Sequence, residues 1–408
     1  MRSRLNANGT ELKIAAREIV SVNPATGEIL GELRCATEAE VLDAVSRASK
    51  AQMAWRGTTV QHRITILRAF QRAMLENKSE IASAITRESG KPQAEALVTE
   101  VLVVLDAARF LIANAYRMLR EESLPHGNLA TKFKKGRLLR EPYGVIGIIS
   151  PWNYPFSIPA TEILAALVAG NAVVLKPSEF TSFVAFELAS LLRAAGLPEG
   201  VLQVVVGEAD IGATLIRSPI DKLIFTGSVV TGKRIAAIAA ERLLPVILEL
   251  GGKDPMIVLD DADVEIASSA AVWGAFVNAG QTCLSVERCY VHRRLYERFL
   301  NAVIEKTKKL RVGDGMDAHT DVGPVIHERQ MLFVESQVED AKAHGARILA
   351  GGSRLRSLGK NFYSPTVVAD VTHEMRIMRE ETFGPVLPVA AFDNDQEAVH
   401  LANDSEYG

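Results

Sequence analysis

The sequence predicts an α/β protein built on parallel sheets, and three observations carry that prediction. From Gly144 onward, apolar β-branched runs alternate with helix-length segments: strands over Val145–Ile149, Ala172–Leu175, Val201–Val206 and Leu223–Thr226, and helices reaching Ala169, around Phe183 to Ala195, and after Gly232. Continuous apolar strands of this kind belong in a parallel sheet covered on both faces. A further α/β segment follows Gly251, with strands near Met256–Leu259 and Arg288–Val291. Finally, the polar and reactive residues that stand out fall at strand ends, where ligands bind in such sheets.

The region before Gly144 has a different texture. Val20–Leu30 reads as a hairpin, with β-type residues flanking an Asn23-Pro24…Thr26-Gly27 turn. Helices dominate from Glu38 to about Leu119, with apolar residues at helical spacing (Ile64, Leu67, Phe70; Ala107, Phe110, Leu111) and Gly90-Lys91-Pro92 as a helix end and restart. The polar segment Glu121–Arg140 breaks this pattern and reads as a projecting arm. Met1–Gly9 has basic residues but no apolar run behind them, so no secretory signal is read.

Composition narrows the function classes. A chain of 408 residues exceeds what one hydrophobic core usually supports, so two or more domains are expected. With 48% hydrophobic and 23% charged residues and a net charge of −3, nothing points to nucleic acid or an anionic membrane, and Lys132–Arg137 reads as a solvated basic ribbon. The apolar stretch Pro155–Leu175 is interrupted by Thr161, Glu162 and Asn171, which disqualifies it as a membrane span. Three cysteines, Cys35, Cys283 and Cys289, form no disulfide framework and imply a reducing, cytoplasmic setting. The eight histidines lack paired spacing, so no metal site is expected.

One thiol is set apart by its neighbours. Cys283 lies in Gly280-Gln281-Thr282-Cys283-Leu284-Ser285, among small and polar residues, and reads as an accessible nucleophile rather than a packing cysteine. Glu249 closes the apolar run Leu244–Leu248 and precedes Leu250-Gly251-Gly252, so it reads as a carboxylate at the end of a buried strand and a candidate general base. Together they imply covalent catalysis through a thioester, with water as acceptor. Asn153, between Pro151 and Pro155, is either a fixed donor for a developing oxyanion or a helix cap. Lys176 and Glu179 either hold ribose hydroxyls or form an inconsequential ion pair. The Gly227–Arg234 segment nearly fits a P-loop, but Arg234 stands where a magnesium-binding Ser or Thr is required, which excludes triphosphate chemistry and leaves free backbone N–H groups for a pyrophosphate.

These motifs together resemble those of NAD(P)-dependent aldehyde dehydrogenases. The resemblance runs from Asn23-Pro24-Ala25-Thr26-Gly27 through Pro151-Trp152-Asn153, Lys176-Pro177-Ser178-Glu179, Phe225-Thr226-Gly227-Ser228, Glu249-Leu250-Gly251-Gly252-Lys253 and Gly280–Cys283 to Glu380-Glu381-Thr382-Phe383-Gly384-Pro385. It implies a cofactor domain over 1–120 and 141–250, an oligomerisation arm over 121–140 and a catalytic domain over 251–408. It also implies Cys283 as nucleophile, Glu249 as base for the hydrolytic water and Asn153 as oxyanion donor. NAD, with NADP as the alternative, would be held by Trp152, Lys176, Glu179, Gly207, Gly227, Ser228, Leu250, Glu381 and Phe383. The family further implies an aldehyde substrate and a homodimer or homotetramer.

Three departures accompany the resemblance. Gly207-Glu208-Ala209 stands where many members have Gly-x-Gly, and Glu162 where many have Lys. Relatives continue beyond the position of Gly408, so the catalytic part is expected to be incomplete, the chain poorly soluble or partner-dependent, and its aldehyde oxidation weak. An inactive dinucleotide-binding remnant and a coenzyme A-acylating relative are the alternatives, the latter disfavoured by Glu249. Tyr154, Phe156, Ile158, Thr282 and Leu284 are expected to form an apolar pocket mouth.

Overall fold

The computed structural model describes residues 17–125 and 127–407; the Met1–Gly9 reading lies outside them. The hairpin is present as β1 (Glu18–Val22) and β2 (Ile29–Arg34), antiparallel. Helices α1 (Glu38–Arg56), α2 (Val60–Glu76) and α3 (Lys78–Ser89) follow. Thr37 and Glu40 cap α1 reciprocally, and Gly90 ends α3 at φ 82°, a left-handed position that glycine adopts without strain. The short α4 (Gln93–Glu95) runs into a π-helical turn at Ala96–Val101 and then α5 (Leu102–Leu119).

The Glu121–Arg140 segment forms a two-stranded ribbon, β3 (Glu122–Leu124) and β4 (Gly136–Leu138). Beyond it, β5 (Val145–Ile149), β6 (Ala172–Lys176), β7 (Leu202–Val204), β8 (Lys222–Thr226) and β9 (Val246–Glu249) form one sheet in the order β7-β6-β5-β8-β9, parallel throughout. Every residue of β6 is buried, so both sheet faces are covered. The covering helices include α1, α6 (Ser157–Val168), α7 (Ser182–Ala194) and α8 (Ala209–Arg217).

The second sheet has the order β10-β11-β14-β13-β12, from β10 (Pro255–Val258), β11 (Arg288–His292), β12 (Arg347–Ala350), β13 (Thr366–Ala369) and β14 (Val386–Phe392). It is parallel except for the antiparallel edge strand β12. A separate apolar cluster, from Val258 to Ala398, forms its core. No described helix is long and apolar enough to cross a membrane.

Two sequence readings shift. The helix expected after Gly232 is α9 (Val229–Ala240), with Gly232 inside it, because a Cβ there would press on the Leu250 side chain. The strand ending at Glu249 is not buried: β9 is a sheet edge, and Ile247 and Glu249 are exposed.

Candidate active site

Helix α10 (Val264–Phe276) delivers the chain to a left-handed turn: Asn278, Ala279 and Gly280 have φ of 53°, 54° and 72°. Gly280 is required, since a Cβ would collide with the Gly384 carbonyl. Asparagine tolerates this region better than most residues, whereas Ala279 holds it only because the surroundings impose it. The Asn278 N–H donates to Glu95 at 2.8 Å, Gln281 Nε2 donates to the Asn278 carbonyl at 2.9 Å, and Ile326 N–H donates to Gln281 Oε1 at 2.8 Å. Cys283 follows this turn, half-buried. Burial pushes its thiol pKa up, Glu381 and Asp254 add to the rise, and backbone N–H groups of Cys283 and Leu284 oppose it. The free thiol is therefore held protonated.

Asn153 lies in the loop after β5, buried. Its Nδ2 donates to the Gln281 carbonyl at 3.0 Å, which uses one of two amide hydrogens and leaves one for an oxyanion. Its carbonyl accepts from Lys91 Nζ at 2.7 Å and from Asn278 Nδ2 at 2.9 Å. Tyr154 OH meets Thr282 Oγ1 at 2.8 Å. Phe156 is fully buried in the first core and is not part of a pocket mouth, whereas Leu284 is exposed.

Cys283, Asn153 and Glu249 line one cavity of about 410 Å³. Trp152, Leu250, Glu381 and Phe383 line it as well, as do Gly227 and Ser228 at the start of α9. Ser228 caps that helix by accepting from Thr231 N–H. Lys176, Glu179 and Gly207 lie outside this lining, at the ends of β6 and β7. Lys176 Nζ is 3.6 Å from Glu179, and a Cβ at Gly207 would collide with Ile211 of α8.

The far wall is pinned by a second buried group. Glu287 pairs with Lys253 at 2.6 Å and accepts from Thr382 and Phe383 N–H. Phe383, at φ 50°, sets its ring edge-on to Trp152 at 5.4 Å. Glu381 accepts from Gly252 N–H at 3.2 Å, and burial, then the Glu287 charge, push its pKa up to about 7.

Sequence reasoning missed Lys91, Glu95, Glu100 and Asn278, which hold these loops. Charged residues inside an otherwise apolar helical stretch were the available signal. Glu162 faces Thr226, which donates to its Oε1 at 3.3 Å, while Oε2 is buried without a partner. Burial, and then Glu249, push its pKa up to about 8, so it is neutral at pH 7.

Comparison with known proteins identifies the family. The model of the aldehyde dehydrogenase family matches residues 13–408. The chain is 41% identical over 390 residues to a 4,4′-diapolycopene aldehyde oxidase of Methylomonas, covering 96% of this chain and 72% of that protein. Among solved structures, the NAD+ complex of a Bacillus cereus aldehyde dehydrogenase superposes with a TM-score of 0.92 at 34% identity, covering 100% of this chain and 83% of that one. An NADP-dependent enzyme of E. coli gives 0.93 at 36%, covering 100% and 84%. The chain thus belongs to the aldehyde dehydrogenase family and is an oxidoreductase acting on aldehydes.

Proposed function

We propose that this chain oxidises an aldehyde to its carboxylic acid with NAD, through a thiohemiacetal and then a thioester on Cys283. The observation that carries the reading is the convergence of Cys283, Asn153 and Glu249, from three distant segments, on one cavity that also contains the start of α9. The cofactor fits these residues: the N-terminus of a 12-residue helix favours a pyrophosphate, and Gly227 and Ser228 lie at its start. Lys176 and Glu179 would hold the adenosine ribose, and Glu381 the nicotinamide ribose beside Phe383. NAD bound there supplies a hydride acceptor.

The protein's part follows from its own groups. Cys283, its thiol proton passed to solvent water in the cavity, adds to the carbonyl carbon, and the resulting oxyanion takes the free Asn153 N–H and the Cys283 backbone N–H. Loss of hydride leaves the thioester. Glu249, open to the cavity, removes a proton from water as that water adds to the thioester carbon, and the Cys283 thiolate leaves. The exposed Glu121–Arg140 ribbon, with Leu129 81% and Phe133 94% accessible, presents apolar side chains suited to assembly into a homodimer or homotetramer.

Replacing the nucleophile tests the reading. Cys283→Ala should abolish aldehyde-dependent NADH formation while retaining NAD binding, and replacing Cys35 or Cys289, both buried, should not abolish it. Turnover persisting in Cys283→Ala overturns the assignment.

A further inference from the structure

Between α4 and α5 the chain takes a π-helical turn, Ala96–Val101, in which the Leu102 N–H donates five residues back to the Leu97 carbonyl. Glu95 immediately precedes it and Glu100 lies within it, five residues apart. At 3.6 residues per turn an α-helix would leave two such side chains about 140° apart. The wider π turn brings them towards one face, and both point at the active site. Glu95 accepts the N–H of Asn278 at 2.8 Å, in the left-handed turn before Cys283. Glu100 is fully buried and accepts the N–H groups of Phe156 at 2.8 Å and Ser157 at 3.0 Å, in the segment that follows Asn153.

Lys91 closes the arrangement. Its buried ammonium donates to Glu100 at 2.6 Å and to the Asn153 carbonyl at 2.7 Å, and lies 3.9 Å from the centre of the Tyr154 ring. The Asn153 carbonyl also accepts from Asn278, so the two loops meet there. Burying an ion pair of this kind is weak evidence for stability, because desolvation offsets most of the attraction. A geometric role accounts for it better, since beyond the Lys91–Glu100 pair itself its bonds run to the segment bearing Asn153 and to the turn before Cys283. π turns occur frequently at functional sites.

We propose that Lys91, Glu95 and Glu100 are positioning residues for acylation: the π turn sets two carboxylates in register so that the Asn153 loop and the Cys283 turn are held at one fixed separation. The proposal rests on the catalytic reading above. A misplacement of about 1 Å at the oxyanion donors costs up to roughly 100-fold in rate.

The test compares the parent chain with the charge-neutral double variant Lys91→Met/Glu100→Gln, which avoids stranding one buried charge. Pre-steady-state NADH formation is measured with propanal and with benzaldehyde, alongside NAD binding, thermal midpoint and alkylation of Cys283 by iodoacetamide, a reaction that forms no oxyanion. The expected result is a burst rate lowered 10- to 100-fold, with NAD affinity and alkylation rate within about twofold of the parent. Glu95→Gln, whose amide oxygen still accepts from Asn278, should keep most of the burst rate, and Glu95→Ala should lose it. A folded double variant whose burst matches the parent overturns the proposal. So does a parallel fall in burst, alkylation and NAD binding, which marks general loosening. A parent chain that forms no NADH from aldehyde sinks the catalytic reading itself, and the proposal with it.

Discussion

Two buried lysine–glutamate pairs, built alike, hold opposite walls of the same cavity. Lys91–Glu100 and Lys253–Glu287 are each 2.6 Å apart and almost wholly shielded from water. In each, the carboxylate accepts two successive backbone N–H groups, Phe156 and Ser157 in one case and Thr382 and Phe383 in the other. The lysines then differ. Lys91 reaches the Asn153 carbonyl, which also accepts from Asn278 in the turn before Cys283, whereas Lys253 reaches the Thr382 hydroxyl and stays within the wall that carries Glu381 and Phe383. On the proposed mechanism, the same local device would serve bond formation on one side and the cofactor ribose on the other.

That contrast can be broken experimentally. The largest effect is expected from Lys253→Met alone, which strands Glu287 as a buried, uncompensated charge and should cost about 3–5 kcal/mol in chemical denaturation. Lys253→Met/Glu287→Gln should recover most of that loss yet weaken NAD binding more than it slows Cys283 acylation, the reverse of the pattern predicted for the Lys91 pair. Equal kinetic signatures from the two double variants would erase the distinction.

A smaller effect is expected at Glu162, which lies on neither pair. Its pKa of about 8 in the folded chain exceeds the 4.5 of an ordinary glutamate, so the folded state binds the extra proton. Stability from this group is then full below about pH 4.5, falls as pH rises from there to about 8, and is level above. Glu162→Gln, which cannot ionise, should flatten that fall, gaining up to a few kcal/mol over the parent at pH 8. Identical pH profiles of the thermal midpoint would refute this.

The smallest effect concerns cofactor choice. Glu179, partly exposed and 3.6 Å from Lys176, should repel a 2′-phosphate, so NAD should bind more tightly than NADP and Glu179→Gln should narrow the gap. Calorimetry showing equal affinities in the parent chain would contradict it.

The elements that the sequence reveals are those whose physics is local. β5 and β6 read correctly because central parallel strands are apolar at every position, and Gly90 read correctly because its left-handed φ selects glycine. β9 did not, since its apolar composition resembles that of a central strand while its place at the sheet edge is a property of the whole topology. Ala279 carries no signature of a left-handed turn, and Asn278 only the mild preference of asparagine for that region, so surrounding bonds do most to impose it. Glu249, Cys283 and Asn153 stood out as chemistry, whereas the charges that would orient them read as punctuation.

The account's central claim is a division of labour, with Cys283 forming the acyl bond and Glu249 releasing it. Glu249→Gln, mixed with aldehyde and NAD, separates the two steps: the account predicts one equivalent of NADH per active site, almost no further turnover, and an acyl adduct recovered by mass spectrometry on the peptide containing Cys283. Sustained turnover at the parent's rate, or an adduct on any other residue, would contradict it.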